Sequence, residues 1–234
     1  MEVFSEIVTL ESAGDRVSLR DIFTLFQRVA GDHVDSLNLG RAYFDAIGAA
    51  WVLTSEHMVV TAMPAPGQTV KVSTWPGDTK FALFPRYFLL EDLEGNELIG
   101  AGSLWSIMDL KARKILYPEQ SGVSVTGIVT GRETPLAKTV CSVKSEPVLD
   151  MTVTAADIDV NGHMNNAVYL DWLEQVLGGD FFAAGGAVKE LTITYKKELL
   201  LGDTARIRIA RDESALTMQG LHEDKTAFSV AVAF

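Results

Sequence analysis

A single cysteine, Cys141, stands among 234 residues. One thiol excludes an intramolecular disulfide and fits a reducing compartment, so a cytoplasmic location is expected. Histidine is also scarce, with four scattered residues, and with one cysteine beside them no metal cluster and no cofactor is expected. No apolar run approaches the ~20 residues of a membrane-spanning helix. The opening Met1-Glu2-Val3-Phe4-Ser5-Glu6 lacks the basic-then-apolar pattern of a signal peptide. Basic residues are outnumbered, 20 Lys and Arg against 31 Asp and Glu, and the net charge of −11 argues against nucleic acid as the main partner.

What is present is an ordinary globular composition, 47% apolar and 22% charged, with length for one large or two small domains. One stretch is chemically dense. Asp157-Ile158-Asp159-Val160-Asn161-Gly162-His163-Met164-Asn165-Asn166 holds two carboxylates, three carboxamides and an imidazole. Ala167, Val168, Leu170, Trp172, Leu173, Val176 and Leu177 follow at steps of three and four, which predicts an amphipathic helix over 166–177 capped by Asn165 or Asn166. Free backbone N–H groups at such a helix start can polarise a carbonyl or hold an oxyanion.

Read in order, residues 3–10 predict a strand. Ser18 then caps a helical stripe of Leu19, Ile22, Phe23, Leu25, Phe26 and Val29, which Gly31 is expected to break. A weaker helical stretch runs through Leu39, Ala42, Tyr43 and Ile47. From Trp51 the period becomes two, giving strands over 51–60, 69–75, from Phe84 to Glu91, and 98–109. Residues 117–147 lose both periods and carry Pro118, Gly122, Gly127, Gly131, Pro135 and Pro147, which reads as a linker laid over the surface. The order then repeats: a short strand at 148–153, the polar loop, the helix, and strands at 190–195, 204–209, 215–222 and 226–234. Gly67-Gln68-Thr69-Val70-Lys71-Val72 matches Gly202-Asp203-Thr204-Ala205-Arg206-Ile207 at an offset of 135 residues. Two copies of a helix wrapped by a long antiparallel sheet, the hot-dog pattern, account for the length, and the fold class is α+β.

On these residues the chain resembles the acyl-acyl carrier protein thioesterases of the FatA/FatB type, which have tandem hot-dog domains. Asp159-Val160-Asn161-Gly162-His163-Met164-Asn165-Asn166 is similar to the family's D-x-N-x-H-V-N-N, and Tyr195-Lys196-Lys197-Glu198 to its Y-x-x-E. Trp51-Val52-Leu53, the run Pro66 to Trp75, and Ser103-Leu104-Trp105 to Arg113 resemble the family's first repeat. The resemblance implies an N-terminal hot-dog at 1–116 that binds the acyl chain and is catalytically degenerate. It implies a linker at 117–147 and a catalytic hot-dog at 148–234. It also implies hydrolysis of a fatty acyl thioester carried on the phosphopantetheine of acyl carrier protein, releasing free fatty acid and terminating elongation, by a monomer or homodimer. Asp159, Asn161, His163 and Glu198 would form the catalytic network. His163 suits proton transfer near neutral pH; Glu198, expected on the next strand, would hold the water or act as base; Asp159 would orient a neighbour; Asn161 would fix the water or the carbonyl. How the base role divides between Glu198 and His163 stays open.

One position departs from the family: plant members often have Cys after that Glu, and here Leu199 follows Glu198. Cys141, in the linker, is a poor substitute, which favours direct attack by water without an acyl-enzyme. Plainer roles stand beside these: Asp159 as a turn cap, Glu198 as a surface ion-pair partner contributing under ~1 kcal/mol. His33, His57 and His222 read as structural or surface residues, and Ile22, Phe23, Phe26, Trp51 and Trp105 as core, some of them lining the acyl tunnel. Docking of an acidic carrier would need a local basic patch; segment 188–212 offers six basic against four acidic residues. Hydrolysis of acyl-coenzyme A and non-hydrolytic acyl binding are the rival functions.

Overall fold

The computed structural model describes residues 2–12, 14–130, 135, 136, 140 and 142–234. The chain forms two compact units, Met1–Ala137 and Lys138–Phe234. Cys141 lies outside the described residues.

The first unit opens with strand β1 (Phe4–Thr9) and helix α1 (Leu19–Ser36). Ser18 starts α1 by a reciprocal cap: its hydroxyl accepts the Asp21 N–H at 3.0 Å, and the Asp21 carboxylate accepts the Ser18 N–H at 2.8 Å. Leu19, Ile22, Phe23, Phe26 and Val29 are buried along one face, each contributing about 1.5–3 kcal/mol of hydrophobic stabilisation. Gly31 does not break the helix. The run continues one and a half turns beyond it to Ser36, because apolar Val34 and half-apolar His33 extend the packed face and outweigh the ~1 kcal/mol propensity cost of glycine. A short helix α2 (Arg41–Ile47) ends at Gly48, and strands β2 (Ala49–Val60), β3 (Thr69–Pro76), β4 (Phe84–Asp92), β5 (Glu97–Asp109) and β6 (Lys114–Leu116) follow. They form an antiparallel sheet in the order β1-β3-β4-β5-β2, with β6 also paired to β5. Helix α1 packs on this sheet, the Phe26 and Phe88 rings stacking at 4.7 Å.

Residues after β6 remain attached to the first unit. Helix α3 (Pro118–Ser121) is followed by Val123, 1% exposed and packed with Phe44, Ala49, Phe84 and Ile107, and the Val125 N–H donates to the Thr79 hydroxyl at 2.8 Å.

The second unit runs β7 (Leu149–Thr152), a 3-10 turn (Ala155–Asp157), α4 (Val168–Leu177), α5 (Gly179–Ala183), β8 (Glu190–Tyr195), β9 (Thr204–Arg211), β10 (Ala215–His222) and β11 (Lys225–Ala233). Its antiparallel sheet has the order β8-β11-β10-β9-β7. Helix α4 lies on it through aromatic rings, Tyr169 edge-on to Phe228 at 4.7 Å and to Tyr195 at 5.3 Å. Phe228 reaches that position because Gly220 opposite has no side chain: a Cβ there would lie 2.0 Å from the ring.

The internal repeat holds at the level of single hydrogen bonds. Leu10 N–H donates to Gln68 and Gly67 N–H to Leu10 in the first unit; Val153 N–H donates to Asp203 and Gly202 N–H to Val153 in the second. The paired threonines beside them, Thr9 with Thr69 and Thr152 with Thr204, join hydroxyls at 3.0 and 2.9 Å.

Candidate active site

The polar loop is a tight hairpin between β7 and α4. Asp157 first closes the 3-10 turn by accepting the Thr154 N–H and hydroxyl at 2.7 and 2.8 Å. Ile158 then pairs with Met164, the Asp159 N–H donates to the His163 carbonyl at 3.0 Å, and Gly162 turns the chain at φ +83°. The geometry needs a left-handed residue at that corner, which glycine adopts without a Cβ penalty.

Three of the four expected site residues meet inside this hairpin. The Asp159 carboxylate accepts the Asn161 N–H at 2.8 Å and its side-chain Nδ2 at 3.3 Å, so the Asn161 carboxamide is turned toward Asp159 with its oxygen left to accept. His163 Nδ1 lies 3.3 Å from the Met164 carbonyl and 3.8 Å from Asp159 Oδ2. Both neighbours are acceptors, which draws the proton of a neutral imidazole to Nδ1 and leaves the Nε2 lone pair for chemistry. His163 and Asp159 side chains are 29% and 17% exposed, half-shielded but open to a substrate.

Glu198 lies in the loop after β8, not on the strand itself, which ends at Tyr195. Strand pairing stops there because Lys196 and Lys197 both donate their N–H groups to the single carbonyl of Ala227. The backbone around Glu198 is tied down on two sides. The Leu199 carbonyl accepts the Met164 N–H at 2.8 Å, which sets Glu198-Leu199 against His163-Met164, and the Leu199 N–H bonds to the Tyr169 hydroxyl. Leu199 itself is fully buried. Burial, and secondarily the nearby charge of Glu198, push the Tyr169 hydroxyl well above its usual pKa, so it stays protonated.

Helix α4 begins at Val168, with Ala167 flanking it, rather than at 166. Asn165 still does capping work one residue early: its side-chain oxygen accepts the Ala167 N–H at 2.8 Å and its carbonyl the Val168 N–H at 3.0 Å. Those two amides are therefore engaged and are not oxyanion donors in this arrangement. The Asn166 carbonyl is held by the Tyr195 hydroxyl at 2.8 Å. Tyr169 is the residue that sequence reasoning missed as a site support, its signal being a tyrosine rather than a leucine at a position facing the core; Tyr195 stood in the Y-x-x-E motif without a role of its own.

Other expectations resolve as follows. His33 and His57 are buried, and His222 bonds the Thr204 carbonyl at 3.2 Å beside Asp203. Ile22, Phe23 and Phe26 are core, whereas Trp51 and Trp105 line a cavity of about 230 Å³ within the first unit, between α1 and the sheet. The basic excess of 188–212 is offset locally: Lys197 pairs with Glu223 at 2.7 Å and Arg206 pairs with Asp224, both acids on the β10–β11 turn.

Comparison with known proteins bears on both units. Residues 8–119 match the family model for the acyl-ACP thioesterase N-terminal domain, and residues 141–231 the model for its C-terminal domain. The chloroplastic acyl-acyl-carrier-protein hydrolase FATB3 of Cuphea viscosissima is 26% identical over 195 residues, covering 77% of this chain and 47% of the relative. The chloroplastic palmitoyl-acyl carrier protein thioesterase of Arabidopsis thaliana is 27% identical over 216 residues, covering 82% and 50%. The chain thus spans about half the length of the curated relatives it matches. In fold it is similar to the crystal structure of an acyl-ACP thioesterase from Bacteroides thetaiotaomicron, with TM-score 0.85 and 20% identity over 99% of this chain and 97% of that one.

Proposed function

Since the chain belongs to the acyl-ACP thioesterase family, we propose that it hydrolyses the thioester of a fatty acyl chain carried on acyl carrier protein, releasing the free fatty acid. The observation that carries this is the closure of the Asp159–Asn161–His163 hairpin onto Glu198-Leu199 through the Met164 N–H, which gathers an imidazole, a carboxylate and a carboxamide in one half-open place. A water oxygen attacks the thioester carbonyl carbon, Glu198 or His163 takes its proton, and the C–S bond breaks as the pantetheine thiolate leaves and is protonated. Asp159 acts by fixing the loop and Asn161, whose free carboxamide oxygen can hold the water. Leu199 offers no nucleophile, which supports a single-step displacement by water over an acyl-enzyme.

We assign the two units different tasks. Residues 148–234 supply the chemistry. Residues 1–116 supply the acyl chamber, since their cavity is lined by Val34, Leu37, Trp51, Phe84 and Trp105. The loop that joins β1 to α1 runs only from Leu10 to Ser18 and has neither His nor Asn, which supports one reactive centre per chain.

Thiol release from acyl carrier protein loaded with chains of graded length tests the assignment. Wild type should release thiol, and His163→Ala and Glu198→Ala should each lose about 10²–10⁴-fold in turnover with the fold intact. Wild-type rates in His163→Ala would overturn the mechanism, and release from acyl-coenzyme A alone would replace the carrier.

A further inference from the structure

The cavity of the first unit is not uniformly apolar. Gln27 and Arg86 line it, among side chains such as Val34, Trp51 and Trp105. The Gln27 Nε2 is buried and has no hydrogen-bond partner. Arg86 is 9% exposed, and its guanidinium donates from Nη1 to Thr74 Oγ1 and to His33 Nδ1, both at 3.1 Å. Both acceptors are neutral: burial and the adjacent guanidinium hold the His33 pKa down at about 4, so the imidazole carries no charge and none is offset. Burial likewise lowers Arg86 to about 10, and among the described residues no carboxylate pairs with it.

A chamber for plain hydrocarbon gains nothing from a desolvated cation and an unpartnered amide; each is costly to bury unless something accepts its hydrogens. Both groups are donors, so the missing partner is an acceptor. Space for it exists. Gly31 stands in the middle of α1 on the cavity lining, and a Cβ there would meet nothing within 4 Å.

We propose that this chamber selects acyl chains bearing an acceptor oxygen (hydroxyl, ketone or carboxylate) away from the thioester, bound by Arg86 and Gln27. This rests on the acyl-chamber reading above and narrows its substrate class.

The probes are acyl chains joined to pantetheine by an amide in place of the thioester, in pairs of equal length. One member of each pair is unsubstituted and the other carries an oxygen function at a graded position. Binding is read from the fluorescence of the lining Trp51 and Trp105. At one position the oxygenated probe should bind about tenfold or more tightly than its plain twin. Gln27→Leu and Arg86→Met should each abolish most of that preference, read as the ratio of affinities between the twins so that any change common to both cancels. Gly31→Leu should weaken both probes by filling the chamber. Equal binding of the twins at every position overturns the proposal. So does a preference that survives both Gln27→Leu and Arg86→Met, or oxygenated-probe binding that ignores Gly31→Leu. Preference without thiol release from the matching thioester would leave the chamber standing and sink hydrolysis. Thiol release without preference would do the reverse.

Discussion

Gly162 carries the corner of the reactive hairpin at φ +83°, with nothing within 4 Å of where a Cβ would stand. Replacing it therefore costs backbone strain alone, without a clash. Gly162→Ala should destabilise the second unit by about 1–2 kcal/mol, read as a lower urea midpoint, with turnover falling because Asn161 and His163 flank the strained bond. An unchanged midpoint and rate would mean the corner does not hold the site. At this scale the sequence was informative where residue type itself is the signal: Asp159, Asn161 and His163 are too rich a set for a plain turn. The tie between Met164 and Leu199 was not legible, because a bond between two backbone groups leaves no mark on residue identity. Nor was the role of Tyr169, since an apolar period registers a buried ring and is blind to the hydroxyl at its tip.

Among the elements, β2 departs most from its expected behaviour. Period-two patterning identified it as a strand, yet Ser55, Glu56, His57 and Met58 are buried in succession, so both of its faces are covered. Alternation read from one sequence cannot reveal that, because the second cover is tertiary. Burial raises the Glu56 pKa from 4.5 to about 8. The folded form keeps its proton where the unfolded chain releases it, so this contribution to stability is complete below pH 4.5 and is lost as pH rises toward 8. His33, lowered from 6.5 to about 4, acts oppositely, its contribution being lost as pH falls from 6.5 toward 4. Of these two groups only Glu56 acts above pH 6.5. Between pH 6.5 and 8 the wild type should lose on the order of 1–2 kcal/mol of unfolding free energy, and Glu56→Gln should flatten that slope, as urea titrations at the two pH values would show. A slope identical in both proteins would mean Glu56 is not protonated in the fold. Helix α1 shows the complementary lesson: Gly31 looks like a stop until packing, and the cavity it opens, account for it.

For the whole molecule, the repeat was legible because one hexamer pair at an offset of 135 residues survived, and it marks the same pair of strand-entry hydrogen bonds in each unit. The charge map was less legible. The excess of lysine and arginine in 188–212 dissolves once Glu223 and Asp224 arrive beside Lys197 and Arg206 from a distant turn. A chain of net charge −11 without that stripe should repel an acidic carrier protein at long range. If acyl carrier protein is its substrate as proposed, the KM for that carrier should therefore fall as salt rises from about 0.02 to 0.2 M, where the screening length shrinks to under ~10 Å; a rising KM would reveal attractive steering instead. The leucine after Glu198 has a consequence of another kind. With a buried hydrocarbon side chain in place of a sulfhydryl there, position 199 itself gives thiol-directed alkylating agents and peroxide nothing to modify.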